Sequence, residues 1–158
     1  MGKSKDLMTG DKAPLFKLET DDAGTISSAS LKGRPYVLYF YPKDDTSGCT
    51  KEALEFSAAK RKFAATGIAV IGVSKDSLPS HAKFRKKHNL KITLASDEDL
   101  KTAGAYGVWG EKILYGRKYM GMERATFLVD GNGVIRETWR KVRVQNHVET
   151  VLAAAKAL

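Results

Sequence analysis

Two short runs of apolar residues, YVLYFY at 36–41 and IAVIGV at 68–73, constrain the fold more than any other feature of this chain. Each has the length of a strand and is rich in β-branched and aromatic residues, so each is expected as a buried strand. Between them Ala53, Phe56, Ala59 and Phe63 recur at helical spacing to about Thr66, and Gly67 ends the helix. Strand, helix and strand in this order form a βαβ unit, and strands apolar at every position imply a sheet covered on both faces. An α/β layer fold follows.

The flanks extend that unit. Residues 16–19 and 25–27, around Gly24, are expected as a short N-terminal β-hairpin. Downstream, the pattern predicts a helix over 78–88, a short strand over 92–95 and a short helix over 98–106. Gly107, Gly110, Gly116 and Gly121 then punctuate what is expected to be a long loop, of the kind that is functional or mobile. Strands over 125–129 and 134–139 flank Gly131-Asn132-Gly133, a hairpin signal, and a last helix is expected over 146–158. The 158 residues show no repeat or linker, so one domain spanning 1–158 is expected, large enough to fold without disulfides or structural metal.

The single cysteine, Cys49, lies where the first strand gives way to the helix. Pro42 breaks the strand, and Asp44, Asp45, Thr46, Ser47 and Gly48 supply turn and cap residues. With Thr46 as N-cap, Cys49 is the third helical residue, where free backbone N–H groups and the positive end of the helix dipole favour an anion. Positions of this kind lower a thiol pKa from about 8.5 to between roughly 3.5 and 7.5, and the thiolate is the reactive form. The competing reading is a small buried hydrophobe, which single cysteines often are. The flanking Gly48, Thr50 and Lys51 speak against it. In an open α/β sheet, reactive groups gather beyond the carboxyl ends of the strands, which is where residues 42–49 are expected to lie.

Pro42-x-x-x-Thr46-x-x-Cys49 resembles the active-site signature of the peroxiredoxins. The wider set YFYPKDDTSGCTKEA, VSKDS, VWGEK and RATFLVD, in this order, is similar to the bacterioferritin-comigratory or PrxQ subfamily, from about Gly10 to the C-terminus. The resemblance implies a thioredoxin-like fold, a central mixed sheet flanked by helices, with the N-terminal β-hairpin as an extension. It also implies a thiol peroxidase that reduces hydrogen peroxide and organic hydroperoxides through a Cys49 sulfenic acid, with no cofactor and no metal. In that reading Pro42 shields the sulfur, the Thr46 hydroxyl bridges peroxide and sulfur, the Gly48 and Cys49 N–H groups contribute donors, and Arg124 holds both anions. Glu52, one turn after Cys49, orients Arg124. Bland readings stand beside these: strand termination for Pro42, a solvated strand-end charge for Arg124, a dipole-favoured first-turn carboxylate for Glu52. Lys43 and Lys51 are expected to be solvated, and Tyr41 and Trp109 to be core aromatics or an apolar collar.

Two positions depart from the family pattern. Ser47 stands where the family usually has proline, which loosens the turn. Leu54 stands where many members carry a resolving cysteine, and no second cysteine exists in the chain, so an intramolecular disulfide is impossible. Regeneration is then expected from an external thiol: thioredoxin, glutaredoxin or glutathione.

Charge and composition weigh the competing classes. Twenty-seven Lys and Arg against 18 Asp and Glu give a net charge of +9, which raises nucleic acid as a partner. The basic clusters are scattered and not interleaved with aromatics that stack on bases, so a solvated basic surface is the expectation and nucleic acid is not. A thioredoxin-fold binding or chaperone module without turnover is the remaining alternative. His81 and His88 are seven apart on one helix and His147 is remote, which fits no metal pair, and all three are expected to be solvated. The glycines after Tyr106 match no dinucleotide fingerprint. No run approaches the roughly 18 apolar residues of a membrane span, and the N-terminus lacks the apolar core of a secretory signal. A cytoplasmic location and no membrane partner are expected, with a monomer ahead of a dimer.

Overall fold

The computed structural model describes residues 7–158. The first apolar run forms β3 (Tyr36–Phe40) and the second forms β4 (Ala69–Ser74), paired in parallel with Val37 opposite Val70 and Tyr39 opposite Gly72. Every residue of β3 is buried. Its side chains alternate: Val37 and Tyr39 face one core and Tyr36, Leu38 and Phe40 the other, as an apolar run covered on both faces requires.

A seven-stranded mixed sheet runs in the order β2 (Thr25–Ser27), β1 (Lys17–Thr20), β5 (Thr93–Ser96), β4, β3, β8 (Ala125–Val129), β9 (Ile135–Trp139). β5 (Thr93–Ser96) lies parallel to β4, while β8 (Ala125–Val129) lies antiparallel to β3 and pairs with β9 (Ile135–Trp139). The N-terminal hairpin, β1 (Lys17–Thr20) and β2 (Thr25–Ser27), is more than an appendage: β1 pairs antiparallel with β5 and completes the sheet edge. One face carries α1 (Ser47–Ala58), α2 (Lys60–Ala65), α3 (Leu78–His88) and α5 (His147–Lys156), which bury Phe56, Phe63, Phe84 and Val151 against Val37 and Tyr39. The other face is covered by α4 (Lys101–Ala105), Tyr106 and the segment around Phe16 and Leu31. Tyr39 lies across Gly72, where a Cβ would meet the ring at 2.7 to 2.9 Å, so the glycine in the second run makes room for an aromatic of the first.

Three expectations change. The helix expected from Cys49 to Thr66 is two helices. At Ala59 the amide donates to both Glu55 and Phe56 carbonyls and the backbone leaves helical geometry, turning α2 so that Phe63 enters the core. The expected loop after Tyr106 is a separate two-stranded ribbon, β6 (Trp109–Leu114) and β7 (Arg117–Met122). Its turn is Tyr115-Gly116, both at positive φ of 52° and 78°. A two-residue turn of this kind matches the twist of the strands, and Tyr-Gly does not announce it as Asn-Gly does. The histidines expected in solvent are not there: His81 is fully buried, His147 is buried and His88 is half-buried. Among the described residues no helix is long and apolar enough to cross a membrane.

Candidate active site

The carboxyl end of β3 delivers the site. The Tyr41 amide makes a bond to Val73 O at 3.0 Å, after which Pro42, half-buried and with no N–H to donate, ends the pairing. The chain turns through Asp45 at a φ of 60° and enters α1 with Thr46 as N-cap in extended geometry. Cys49 is therefore the third helical residue, as the spacing predicts, and it is 1% exposed. Its surroundings are not all hydrocarbon. Arg124 Nη2 donates to Cys49 Sγ at 3.3 Å, across 75 residues of sequence.

Arg124 occupies the link between β7 and β8. Its Nη1 donates to Glu52 Oε1 at 2.7 Å, while its Nη2 faces the sulfur. The neighbouring Glu123 is clamped by Arg140 at 2.7 and 3.1 Å and by the Lys141 amide at 3.0 Å, and the Val142 amide bonds Arg124 O. This anchoring by the segment after β9 has no counterpart in the sequence reading. Gly48 makes the approach possible: a Cβ there would lie 3.1 Å from Arg124 Nη2.

Thr46 behaves differently from a capping threonine. Its hydroxyl makes no cap bond and donates instead to Lys43 O at 2.9 Å, leaving its oxygen lone pairs free to accept. Lys43 and Lys51 are exposed. Tyr41 is core rather than collar, its hydroxyl donating to Asp44 at 2.6 Å, while Trp109 is half-buried with Lys75 Nζ 6.0 Å from its ring.

Behind Glu52 lies a group that sequence spacing did not signal. His147 shares a 2.8 Å hydrogen bond with Thr126 Oγ1, and its Nε2 stands 4.0 Å from Glu52 Oε2, an oxygen with no hydrogen-bond partner among the described residues. Burial pushes the Glu52 carboxyl up to about 7, against the pull of Arg124. Burial, aided by the Arg124 charge, brings the His147 imidazole down to about 4. Glu52 thus holds a proton far more readily than a carboxylate in water, and His147 stays neutral at physiological pH. Among the described residues no group of three or more His, Cys, Asp and Glu side chains could hold a metal ion.

Residues 9–138 match the model of the AhpC/TSA family. This chain belongs to that family. It is a peroxiredoxin, a thiol peroxidase, and its relatives place it with the bacterioferritin-comigratory branch. It is 48% identical over 143 residues to a putative peroxiredoxin of Coxiella burnetii, covering 90% of this chain and 95% of the relative. It is 46% identical over 147 residues to a Bacillus subtilis peroxiredoxin, covering 93% and 94%. Among solved structures, a Xylella fastidiosa PrxQ mutant superposes with a TM-score of 0.91 at 35% identity over 98% of both chains. A structure of the Xanthomonas campestris bacterioferritin comigratory protein, concerned with its alkyl peroxide reduction activity, superposes with a TM-score of 0.85 at 39% identity over 90% of both. These neighbours share the thioredoxin-like peroxiredoxin fold that the resemblance implied.

Proposed function

We propose that Cys49 is the peroxidatic nucleophile of this peroxiredoxin and that it reduces hydrogen peroxide and small organic hydroperoxides. The observation that carries this is the 3.3 Å approach of Arg124 to the sulfur at the third position of α1. The guanidinium and the free N–H groups of the first turn favour an anionic sulfur. The thiolate attacks the terminal oxygen of ROOH, forming an S–O bond as the O–O bond breaks. The electron pair leaves on RO⁻, which takes up a proton to become ROH, and Cys49 is left as a sulfenic acid. Arg124 stabilises both the attacking and the departing anion, which is where a preorganised cation lowers the barrier. Thr46, its proton committed to Lys43 O, accepts the hydrogen bond of the peroxide O–H. Gly48 leaves room for Arg124, Glu52 holds it in place, and Pro42 covers the sulfur. The alkyl peroxide reduction of the Xanthomonas campestris relative supports organic hydroperoxides as substrates.

Resolution comes from outside the chain. Leu54 stands 42% exposed on α1, and Cys49 is the one cysteine of the sequence. An external thiol, of thioredoxin, glutaredoxin or glutathione, attacks the sulfenic sulfur and releases water. A second thiol then reduces the mixed disulfide. Cys49 is 1% exposed, so a protein-sized thiol reaches its sulfur only when the start of α1 yields. A single-domain monomer working in the cytoplasm completes the reading. Single-turnover stopped-flow with reduced protein and hydrogen peroxide tests it: Cys49→Ser should be inert and Arg124→Ala slower by roughly a hundredfold, the scale of losing one preorganised donor. Equal consumption by wild type and Cys49→Ser would end the proposal.

A further inference from the structure

A second buried polar cluster joins the loop before α1 to α3, and the chemistry above leaves it unused. His81, fully buried on α3, has an acceptor at each ring nitrogen: Asp44 Oδ2 lies 2.7 Å from Nδ1 and the Ala95 carbonyl of β5 lies 2.9 Å from Nε2. A carbonyl can only accept, so Nε2 carries a proton. At Nδ1 the partner could be a carboxylate or a carboxylic acid, and the surroundings decide. Tyr41 OH donates to Asp44 Oδ1 at 2.6 Å and Ser80 Oγ donates to Oδ2 at 2.8 Å. Asp44 thus receives hydrogen bonds on both oxygens, the pattern of an ionised carboxylate, and His81 Nδ1 must then be the donor. The buried pair is an imidazolium and a carboxylate. Burial opposes charging the ring, but Asp44, the Ala95 carbonyl and the nearby Asp76 outweigh it and hold His81 above the ordinary imidazole value.

This pair sits on the loop that carries the reaction. The Asp44 amide is itself held by Asp76 Oδ2 at 2.8 Å, and Asp76 takes the Ser74 hydroxyl at 2.6 Å. The residue before Asp44 is Lys43, whose carbonyl receives the Thr46 proton. With Asp44 pinned through side chain and backbone, the Lys43 carbonyl has one direction in which to point. We propose that His81 is a positioning residue for the peroxidase reaction: its ion pair with Asp44 fixes the Lys43 carbonyl, which orients the Thr46 hydroxyl so that its oxygen accepts from the peroxide. The inference rests on the reading of Cys49 as nucleophile.

The test is a double-mutant cycle on the reduced protein, with hydrogen peroxide as the probe. His81→Gln, with helix content and urea midpoint checked, should slow single-turnover peroxide consumption by roughly ten- to a hundredfold, the scale expected of misplaced reacting groups. Thr46→Val should slow it as well, and adding His81→Gln to Thr46→Val should cost little more, since both act on one hydroxyl. Multiplying losses, or a folded His81→Gln at wild-type rate, would overturn the route through Thr46. Should His81→Gln fail to fold, the isosteric Asp44→Asn enters the same cycle with the same two outcomes. In ¹⁵N-labelled protein at pH 7 both His81 ring nitrogens should carry protons; one protonated nitrogen would overturn the ion pair. Cys49→Ser, run alongside, separates failure of this inference from failure of the nucleophile assignment, because only the latter predicts an active serine variant.

Discussion

Glu52 and His147 show how two large shifts can hide in one protein. A carboxyl raised to about 7 favours the folded state while protonated and costs stability as pH rises from its usual value, near 4.5, through 7. An imidazole lowered to about 4 does the opposite: its contribution is present above 6.5 and is lost as pH falls through 4. Between these limits the folded protein holds one proton on Glu52, and the unfolded chain holds one on His147. The proton count is the same, so wild-type stability should change little with pH on account of this pair. Glu52→Gln removes the compensation. It should unfold at higher urea than wild type above pH 7, where a buried charge no longer has to be kept. It should then lose up to about 3 kcal/mol between pH 6.5 and 4 as the His147 shift acts alone. Urea midpoints across this range check it, and parallel pH curves for variant and wild type would refute it. The same variant should react more slowly with peroxide, because the guanidinium loses the carboxyl oxygen that receives its Nη1 hydrogen bond.

At the scale of elements, α1 is built for its first turn more than for its length. Gly48 within it is a poor helix former, about 1 kcal/mol worse than alanine, yet it lies where a Cβ would press on Arg124 Nη2 at 3.1 Å. Arg124 is held by Glu52 and by the clamped Glu123, so added bulk displaces the guanidinium from the sulfur. Gly48→Ala should therefore keep or raise the melting temperature while lowering the peroxide rate several-fold. A variant slowed only in proportion to lost stability would contradict that account. The α1 N-terminus is further tied to α3 by Asp45, which bonds Lys87 Nζ at 2.6 Å and His88 Nε2 at 2.8 Å. These exposed pairs contribute little each, and the buried Asp44–His81 pair carries the connection.

For the molecule as a whole, the sheet separates two cores that share its strands. Trp139 packs against the core beneath α1 and α5, and Trp109 against the core beneath α4. Retaining one tryptophan at a time, by Trp109→Phe or Trp139→Phe, gives a fluorescent reporter for each face. If the chain is one domain, both variants should show urea transitions whose fluorescence and far-ultraviolet circular dichroism coincide. Distinct transitions for the two faces would mean that the cores fold separately. The strands argue for coincidence, since every residue of β3 and β8 is buried and neither face can open without exposing the other's backbone. The net charge of +9 acts at this scale too, as a long-range positive field that weakens with salt.

Sequence alone determined what depends on local periodicity and on one residue's neighbours in the chain. The alternation of β3, the parallel unit with β4, α3 from residue 78 to 88 and the third-position placement of Cys49 all follow from spacing and turn chemistry, because strands and helix starts are set within a few residues. Tertiary structure decided what depends on partners far apart in the chain. The guanidinium of Arg124 reaches a sulfur 75 residues away, and the resemblance, not periodicity, pointed to it. The break at Ala59 escaped because no glycine or proline marks it, and the β6–β7 ribbon because its turn is a Tyr-Gly pair, a weak signal. His81 and His147 were misplaced in solvent for a deeper reason. Burying a histidine is costly unless the fold supplies hydrogen bonds to its ring, and Asp44 and Ala95 for His81 and Thr126 for His147 are brought to them only in three dimensions.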